Sequence, residues 1–276
     1  MLDEKYILSA AYVPEHIPKL MSFLSGGEPA LLNKNYLYFK GENWVIFIGY
    51  PLDRNFDINE FGNSIQQVLE KFKPETLWLL TDEIPDFLQE KFKKLEDDYY
   101  YKLDIKNLVI NKKLIKVVEK VSDKLKVVVE KIYTEQHKDL TDEFLKTREV
   151  SKNVRQLYIK LPEYLKKSET TFLLSTYTKE GRLTAYYIIE MEAEQFSAYL
   201  IGCNSKINYV SYSSDLLMYE LIKISQKKGK NYINLGIGVN EGIRRFKEKW
   251  GGIPFLKYRT YEYSRVNFLD YFLINP

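Results

Sequence analysis

The chain is short of the side chains that soft-metal and thiol chemistry need. It has one cysteine, Cys203, and two histidines, His16 and His137. A single thiol excludes an intramolecular disulfide, and these three residues fall short of a Cys/His zinc set. No metal site is expected. A Ser-His-Asp triad would have to use His16 or His137, and neither sits in a recognisable motif. Both read as packing or surface residues. Apolar runs of 18 or more residues are also missing, which argues against a spanning helix. The N-terminal stretch MLDEKYILSAAY has early acids and no basic leader, so it does not read as a secretory signal. Together these features point to the cytoplasm.

What is present suffices for a sizeable core. The 276 residues are 45% hydrophobic and 29% charged, which fits one large domain or two of ordinary size. The net charge of +3 hides an asymmetry. Residues 1–110 hold 12 Lys/Arg against 18 Asp/Glu, so the remainder carries the basic excess. That excess gathers late, from Lys223 to Arg259, and favours an anionic ligand on the second half. Solvated helix faces would explain the same charges.

The second half gives the clearer pattern. LKVVVEKIY (125–133) is β-branched and reads as a strand. Helical spacing from Thr134 to about Lys166 suggests two helices split near Ser151. Strands follow at 170–177, 182–192 and 196–203, with a hairpin turn at Lys179-Glu180-Gly181. A helix is expected over 214–228, capped by Ser213 or Ser214 and stopped by Gly229. A short strand (232–238), a short helix (242–250) and a last strand (253–263) complete it. In that short helix Ile243, Phe246 and Trp250 form the expected buried stripe.

The first half repeats the order. Strands at 36–41 and 44–50 form a hairpin, followed by a helix (59–72), a strand (76–80), a helix (85–95) opened by Pro85, and a strand (99–105). The order β-β-α-β-α-β thus occurs at about 36–105 and again at about 182–263. Hairpins give antiparallel neighbours and β-α-β steps give parallel ones, so each half should hold a mixed sheet. The fold class expected is α/β (α+β), with domains 1–110 and 111–276 joined through a linking helix at 111–123.

The segment 209–258, with its ending R-F-K-x-x-W-G-G before the last strand, resembles the C-terminal part of tandem GNAT-like acyltransferases. Within that superfamily it is similar to FemABX-type peptidoglycan aminoacyltransferases and to the C-terminal domain of phosphatidylglycerol lysyltransferases. LYFKGENWVIFIGYPL (37–52) carries the likeness into the first half. The resemblance implies two tandem GNAT-like domains, the second holding the active cleft between strands 196–203 and 232–238. It implies transfer of an acyl or aminoacyl group from acyl-CoA or an aminoacyl-tRNA to an amine. No tightly bound cofactor is implied; acyl-CoA would be a co-substrate. One departure stands out. The loop GCNSKINYVSYSSD (202–215) lacks the glycines with which acetyl-CoA users bind pyrophosphate, which favours the Fem-type branch or a divergent donor.

Candidate site residues follow from chemistry. A helix N-terminus can hold an anion, and Ser205, Lys206, Ser211, Ser213 and Ser214 gather before helix 214–228. The alternative is a cap and a plain connection. Gly238 and Asn240 lie in a G-x-G-x-x-x-G turn whose spacing is not that of a dinucleotide loop. Its glycines let backbone pass close to a ligand or a strand. Arg245 and Lys249 are four apart on one helix face and suit a phosphate or carboxylate. For amine acylation the candidate bases are Glu190, Glu192 and Glu241, with Glu190 preferred, and the candidate proton donors are Tyr187, Tyr199 and Tyr209. Cys203 reads as a buried structural thiol. The rival readings are a non-catalytic scaffold that kept the fold, and a nucleic-acid role resting on charge alone.

Overall fold

The computed structural model describes residues 2–265. In chain order it contains α1 (Glu4–Ala10), a 3-10 turn (Pro14–His16), α2 (Pro18–Ser25), β1 (Glu28–Leu32), β2 (Tyr36–Lys40), β3 (Trp44–Ile48), α3 (Ile58–Phe72), β4 (Thr76–Thr81), α4 (Asp86–Gln89) and β5 (Lys93–Asp104). There follow α5 (Lys112–Ser122), β6 (Leu125–Glu130), α6 (Glu135–Thr147), α7 (Lys152–Lys167), β7 (Thr171–Thr178), β8 (Leu183–Glu190), β9 (Phe196–Asn204), α8 (Ser213–Lys227), β10 (Tyr232–Ile237), α9 (Glu241–Lys249) and β11 (Ile253–Ser264). The repeated β-β-α-β-α-β order is therefore present twice, as β2 to β5 and as β8 to β11. No helix among the described residues is long and apolar enough to cross a membrane.

The chain forms two compact units. Among the described residues, the first takes 2–10, Glu15–Tyr100 and 254–265; the second takes Ala11–Pro14 and Tyr101–Ile253. These borders differ from the 110/111 division expected from the sequence, and strand pairing explains why. β11 runs antiparallel to β4, from Arg259 opposite Thr81 to Ser264 opposite Thr76. The last strand among the described residues thus belongs to the first unit.

In the first unit the strand order is β1-β2-β3-β4-β11-β5. β3 and β4 are parallel, and the β1/β2, β2/β3 and β4/β11 pairs are antiparallel. Asp57 caps α3, accepting from Asn59 N and Glu60 N at 2.9 and 2.8 Å, and Lys73 ends it in the left-handed region. The buried face of α3 sends Phe61, Ile65 and Val68 onto Tyr36, Phe47, Leu77 and Leu79. The sequence-predicted helix 85–95 is confined to Asp86–Gln89, and β5 begins at Lys93. The strand has absorbed the last of the residues expected to be helical, and Lys93, Lys94 and Leu95 are all exposed there.

In the second unit the order is β10-β9-β8-β7-β6, with the end of β5 beside β10. β8 is buried along its whole length. Its Ala185, Tyr187 and Ile189 join a core with Leu216, Leu217, Leu221 and Ile222 of α8. Tyr186 points the other way, toward Thr141 of α6. Helix α8 starts at Ser213, with Tyr212 as its N-cap at φ 67° and no side-chain cap. The serines expected as caps lie inside the first turn. Gly229 sits after the helix at φ 71°, as a C′ glycine should. In α9 the expected stripe is only partly buried. Trp250 is covered, Ile243 is exposed, and Lys247 is buried instead. The Lys247 ammonium donates to Ile237 O at 2.6 Å, so its stem fills the space and its charge meets a carbonyl.

Candidate functional site

Each unit holds a parallel strand pair, and the two pairs differ. In the first unit β3 and β4 are in register from Trp44 opposite Thr76 to Ile48 opposite Leu80. Gly49 N continues the ladder to Leu80 O at 2.6 Å. A Cβ on Gly49 would lie 2.7 Å from the Phe61 ring, so that ring sits against the end of the pair. In the second unit the register between β9 and β10 covers only Phe196, Ser197 and Ala198, opposite Tyr232, Ile233 and Asn234. Beyond it β9 runs on to Asn204. The departure has a local cause. Asn234 Oδ1 accepts from Gly236 N at 2.9 Å, and Gly236 takes φ 71°, a conformation that glycine enters without Cβ strain. The paired register ends at Ala198 and Asn234, although a Cβ on Gly236 would still lie 3.7 Å from Tyr199 O, and β9 runs on past that point.

Tyrosines line β8 and β9 there. The rings of Tyr187 and Tyr199 meet edge to face, centroids 4.8 Å apart. The Tyr187 hydroxyl donates to Ser214 O at 3.0 Å in the first turn of α8. Gly202 faces both rings; a Cβ there would be 2.6 Å from Tyr187 Cδ1 and would overlap the Tyr199 hydroxyl. From the opposite face Tyr158 of α7 donates to Gly202 O at 3.0 Å. Burial pushes the phenols of Tyr187 and Tyr199 above the usual tyrosine value. Both stay protonated at neutral pH. Cys203 is buried, with its thiol pushed up to about 12 by desolvation. It is the inert thiol expected.

The loop before α8 is tied down from within. Glu143 of α6 accepts from Ser205 Oγ at 3.0 Å and from Lys206 N at 2.5 Å. Ser205 Oγ in turn accepts from Asn208 N at 2.8 Å. Ser205 and Lys206, candidates on sequence for holding an anion, hold a carboxylate of this chain instead. Ser211 is exposed beside Tyr209, Ser213 Oγ donates to Val210 O at 2.6 Å, and Ser214 Oγ donates to Asn204 Oδ1 at 2.8 Å.

The first turn of α8 also carries Asp215, which is buried. Its Oδ1 accepts from Trp250 Nε1 at 3.0 Å and pairs with Lys249 Nζ at 2.5 Å. Lys249 is thereby brought to the start of α8, close to Ser213 and Ser214. Arg245 is not; it pairs with Glu241 on the exposed side of α9. Asn240 caps α9, accepting from Ile243 N at 3.0 Å, and its N–H donates to Gly238 O at 2.7 Å. The Gly238 and Asn240 positions therefore shape the turn.

Glu190 lies opposite Ala198, within the stretch of β9 that pairs with β10, whereas Tyr187 lies opposite Gly202, beyond that stretch. Glu190 is fully buried and accepts from Thr171 Oγ1 and from the N–H groups of Met191 and Glu192. Those bonds make it a terminator of β8. Glu143 and Asp215 are the site residues that sequence reasoning missed. Asp215 had a signal, an acid in the first turn of a helix. Glu143 had none, because its partners lie about sixty residues away in the chain.

Loops 205–212 and 238–240 leave the carboxyl ends of two parallel neighbours, the edge where open sheets place ligands. Exposed apolar side chains mark both: Ile207, Tyr209 and Tyr212 on one, Val239 on the other. Tyr212 and Val239 also adopt left-handed φ values, 67° and 58°. For a β-branched residue such as Val239 that conformation is strained.

No protein-family model matches the sequence, and no curated protein matches it either. Solved structures do share the fold. FemX is similar over 99% of this chain and 97% of its own, with TM-score 0.63 and 13% identity. L-PGS from Bacillus licheniformis is similar over 91% and 88%, with TM-score 0.56 and 17% identity. A tandem GNAT protein from the clavulanic acid biosynthesis pathway is similar over 95% and 94%, with TM-score 0.54 and 9% identity. The chain thus has a GNAT-like α/β fold with mixed sheets of the kind these proteins have.

Proposed function

We propose that the protein transfers an acyl or aminoacyl group from a carrier to an amine, at a slot that opens between β9 and β10 of the second unit. The observation that carries this reading is the end of the β9/β10 register at Ala198 and Asn234, while β9 runs on to Asn204. A parted parallel pair leaves backbone N–H and C=O groups of β9 available to an extended, amide-bearing donor, which binds there as an added strand. The amine nitrogen attacks the carbonyl carbon of the ester or thioester. The bond to the carrier oxygen or sulfur then breaks, and the proton that the amine gives up passes to that leaving atom. The Tyr199 hydroxyl, kept protonated, donates to the oxyanion or to the leaving atom. Tyr187 holds the start of α8 in place through Ser214 O. Lys249, beside that helix start, meets negative charge on the donor. The first unit, whose strand pair is closed, would be the degenerate copy that shapes the acceptor side.

The use of Ser205, Lys206 and Asn208 within their own loop argues against a pyrophosphate in that loop. It favours an aminoacyl-tRNA, or another donor recognised elsewhere, over acyl-CoA. The same observation supports the second reading, a scaffold that kept the fold without the donor site. Thermal-shift measurements against acetyl-CoA, longer acyl-CoAs and aminoacyl-tRNA separate the readings, since a bound ligand raises the melting temperature. With an active donor in hand, Tyr199→Phe is expected to lower transfer by about 100-fold while leaving the melting temperature nearly unchanged. No shift across the panel, or full activity of the Tyr199→Phe variant, overturns the assignment.

A further inference from the structure

β6 ends the strand order of the second unit, so among the described residues no strand lies on its outer side. Such an edge offers a row of backbone donors and acceptors to another strand. The edge strand of the first unit, β1, carries Pro29, which lacks an N–H. β6 has no proline, and its pairing with β7 runs without a bulge from Leu125 opposite Thr178 to Glu130 opposite Leu173. Its sequence Lys126-Val127-Val128-Val129-Glu130 has a further property. Reflected about Val128, it places a cation opposite an anion and a valine opposite a valine. Val129 is 49% exposed and Ile132, just beyond the strand, is 68% exposed. Both leave apolar surface for a neighbour to cover.

We infer that β6 pairs antiparallel with β6 of a second copy of this chain, about a two-fold axis through Val128. Lys126 of each copy then stands across from Glu130 of the other, and Val127 across from Val129. Opposite charges facing each other across two strands stabilise the pair, and like charges destabilise it. The contact is isologous and closes at two copies, so it makes dimers and not fibres.

Light scattering after size exclusion, and sedimentation velocity from about 1 to about 100 μM, test this. The wild-type chain is expected to be a dimer at the upper end. Lys126→Glu, an exposed position, sets two carboxylates against each other at both ends of the strand pair and should weaken the dimer by at least about tenfold. Glu130→Lys alone should do the same by facing two ammonium groups. An equimolar mixture of the two variants restores both opposite-charge pairs, and should dimerise more tightly than either variant alone. Because Glu130 also accepts from the Tyr177 hydroxyl, circular dichroism is used to check that the Glu130→Lys chain is folded. Should it unfold, the Lys126→Glu result decides alone. A wild type that stays monomeric at the highest concentration, or a dimer indifferent to Lys126→Glu, overturns the inference.

Discussion

Lowering the pH from about 7 to about 5 should remove a substantial part of this protein's stability, and two residues account for it. His16 and His137 are both fully buried. Desolvation lowers His137 to about 4 and His16 to about 3. His137 Nδ1 accepts from Thr134 N at 3.1 Å as the third residue of a capping box, so its proton sits on Nε2, facing Ser175 Oγ at 2.9 Å. A second proton would break the cap. His16 Nε2 lies 2.9 Å from Tyr50 O, and donates to it. In the unfolded chain both histidines titrate near the ordinary value of about 6.5, so below that pH the unfolded state binds more protons. Stability is therefore complete above about 6.5 and is lost as the pH falls toward the folded values. Between about pH 7 and about pH 5 each histidine accounts for about 2 kcal/mol of loss. With a urea slope of about 3 kcal/mol/M, that is roughly 0.7 M in the unfolding midpoint per histidine. His137→Gln keeps an acceptor for Thr134 N, and His16→Gln keeps a donor for Tyr50 O, while neither titrates. The assay is urea unfolding at the two pH values, read as the difference between wild type and variant so that carboxylate effects cancel. Each variant should lose less on acidification than the wild type by about 2 kcal/mol. Equal losses in wild type and both variants would refute the reasoning.

Two further predictions concern the slot. Lys249→Ala breaks the pairing with buried Asp215 and should lower both stability and donor binding, whereas Arg245→Ala, which gives up a pairing with the exposed Glu241, should change neither beyond about 0.5 kcal/mol. Melting temperatures and binding isotherms of the two variants distinguish the roles. Gly202→Ala would push a methyl group into Tyr187 and Tyr199, so it should destabilise by about 1–3 kcal/mol and reduce transfer; a fully stable and active variant would show that the tyrosine pair yields freely.

Much of this architecture is legible in the sequence, because its signals are local. The turn at Gly181, the glycine after α8 and the alternation of helical and extended runs each depend on a few neighbouring residues. The linking helix at 111–123, the split near Ser151 and the repeated element order appear in the structure at nearly the expected positions. The entry of β11 into the first unit is not legible, since pairing Glu262 with Trp78 joins residues that no local period connects. The elements within residues 2–32 escape a sequence reading too. α1 is only seven residues long, and β1 carries a proline that weakens a strand signal. At the site, sequence spacing brings out the tyrosines, the serine loop and Lys249. It does not show that Glu143 occupies the loop, that Asp215 receives Lys249, or that Glu190 ends a strand. Those roles are set by contacts between distant segments, and a carboxylate in isolation does not announce which it will meet.

The position of β11 between β4 and β5 governs when this molecule can mature on the ribosome. The strands on either side of it are synthesised by residue 104, yet the ribbon that separates them follows only after residue 252. Until then the N-terminal segment carries an unfilled gap in its hydrogen-bonded ladder, open to stray strands and to chaperones. Expression of residues 1–105 alone should yield aggregating material, and a chain stopped before residue 253 should fail in its first unit even though the missing piece lies about 150 residues beyond β5.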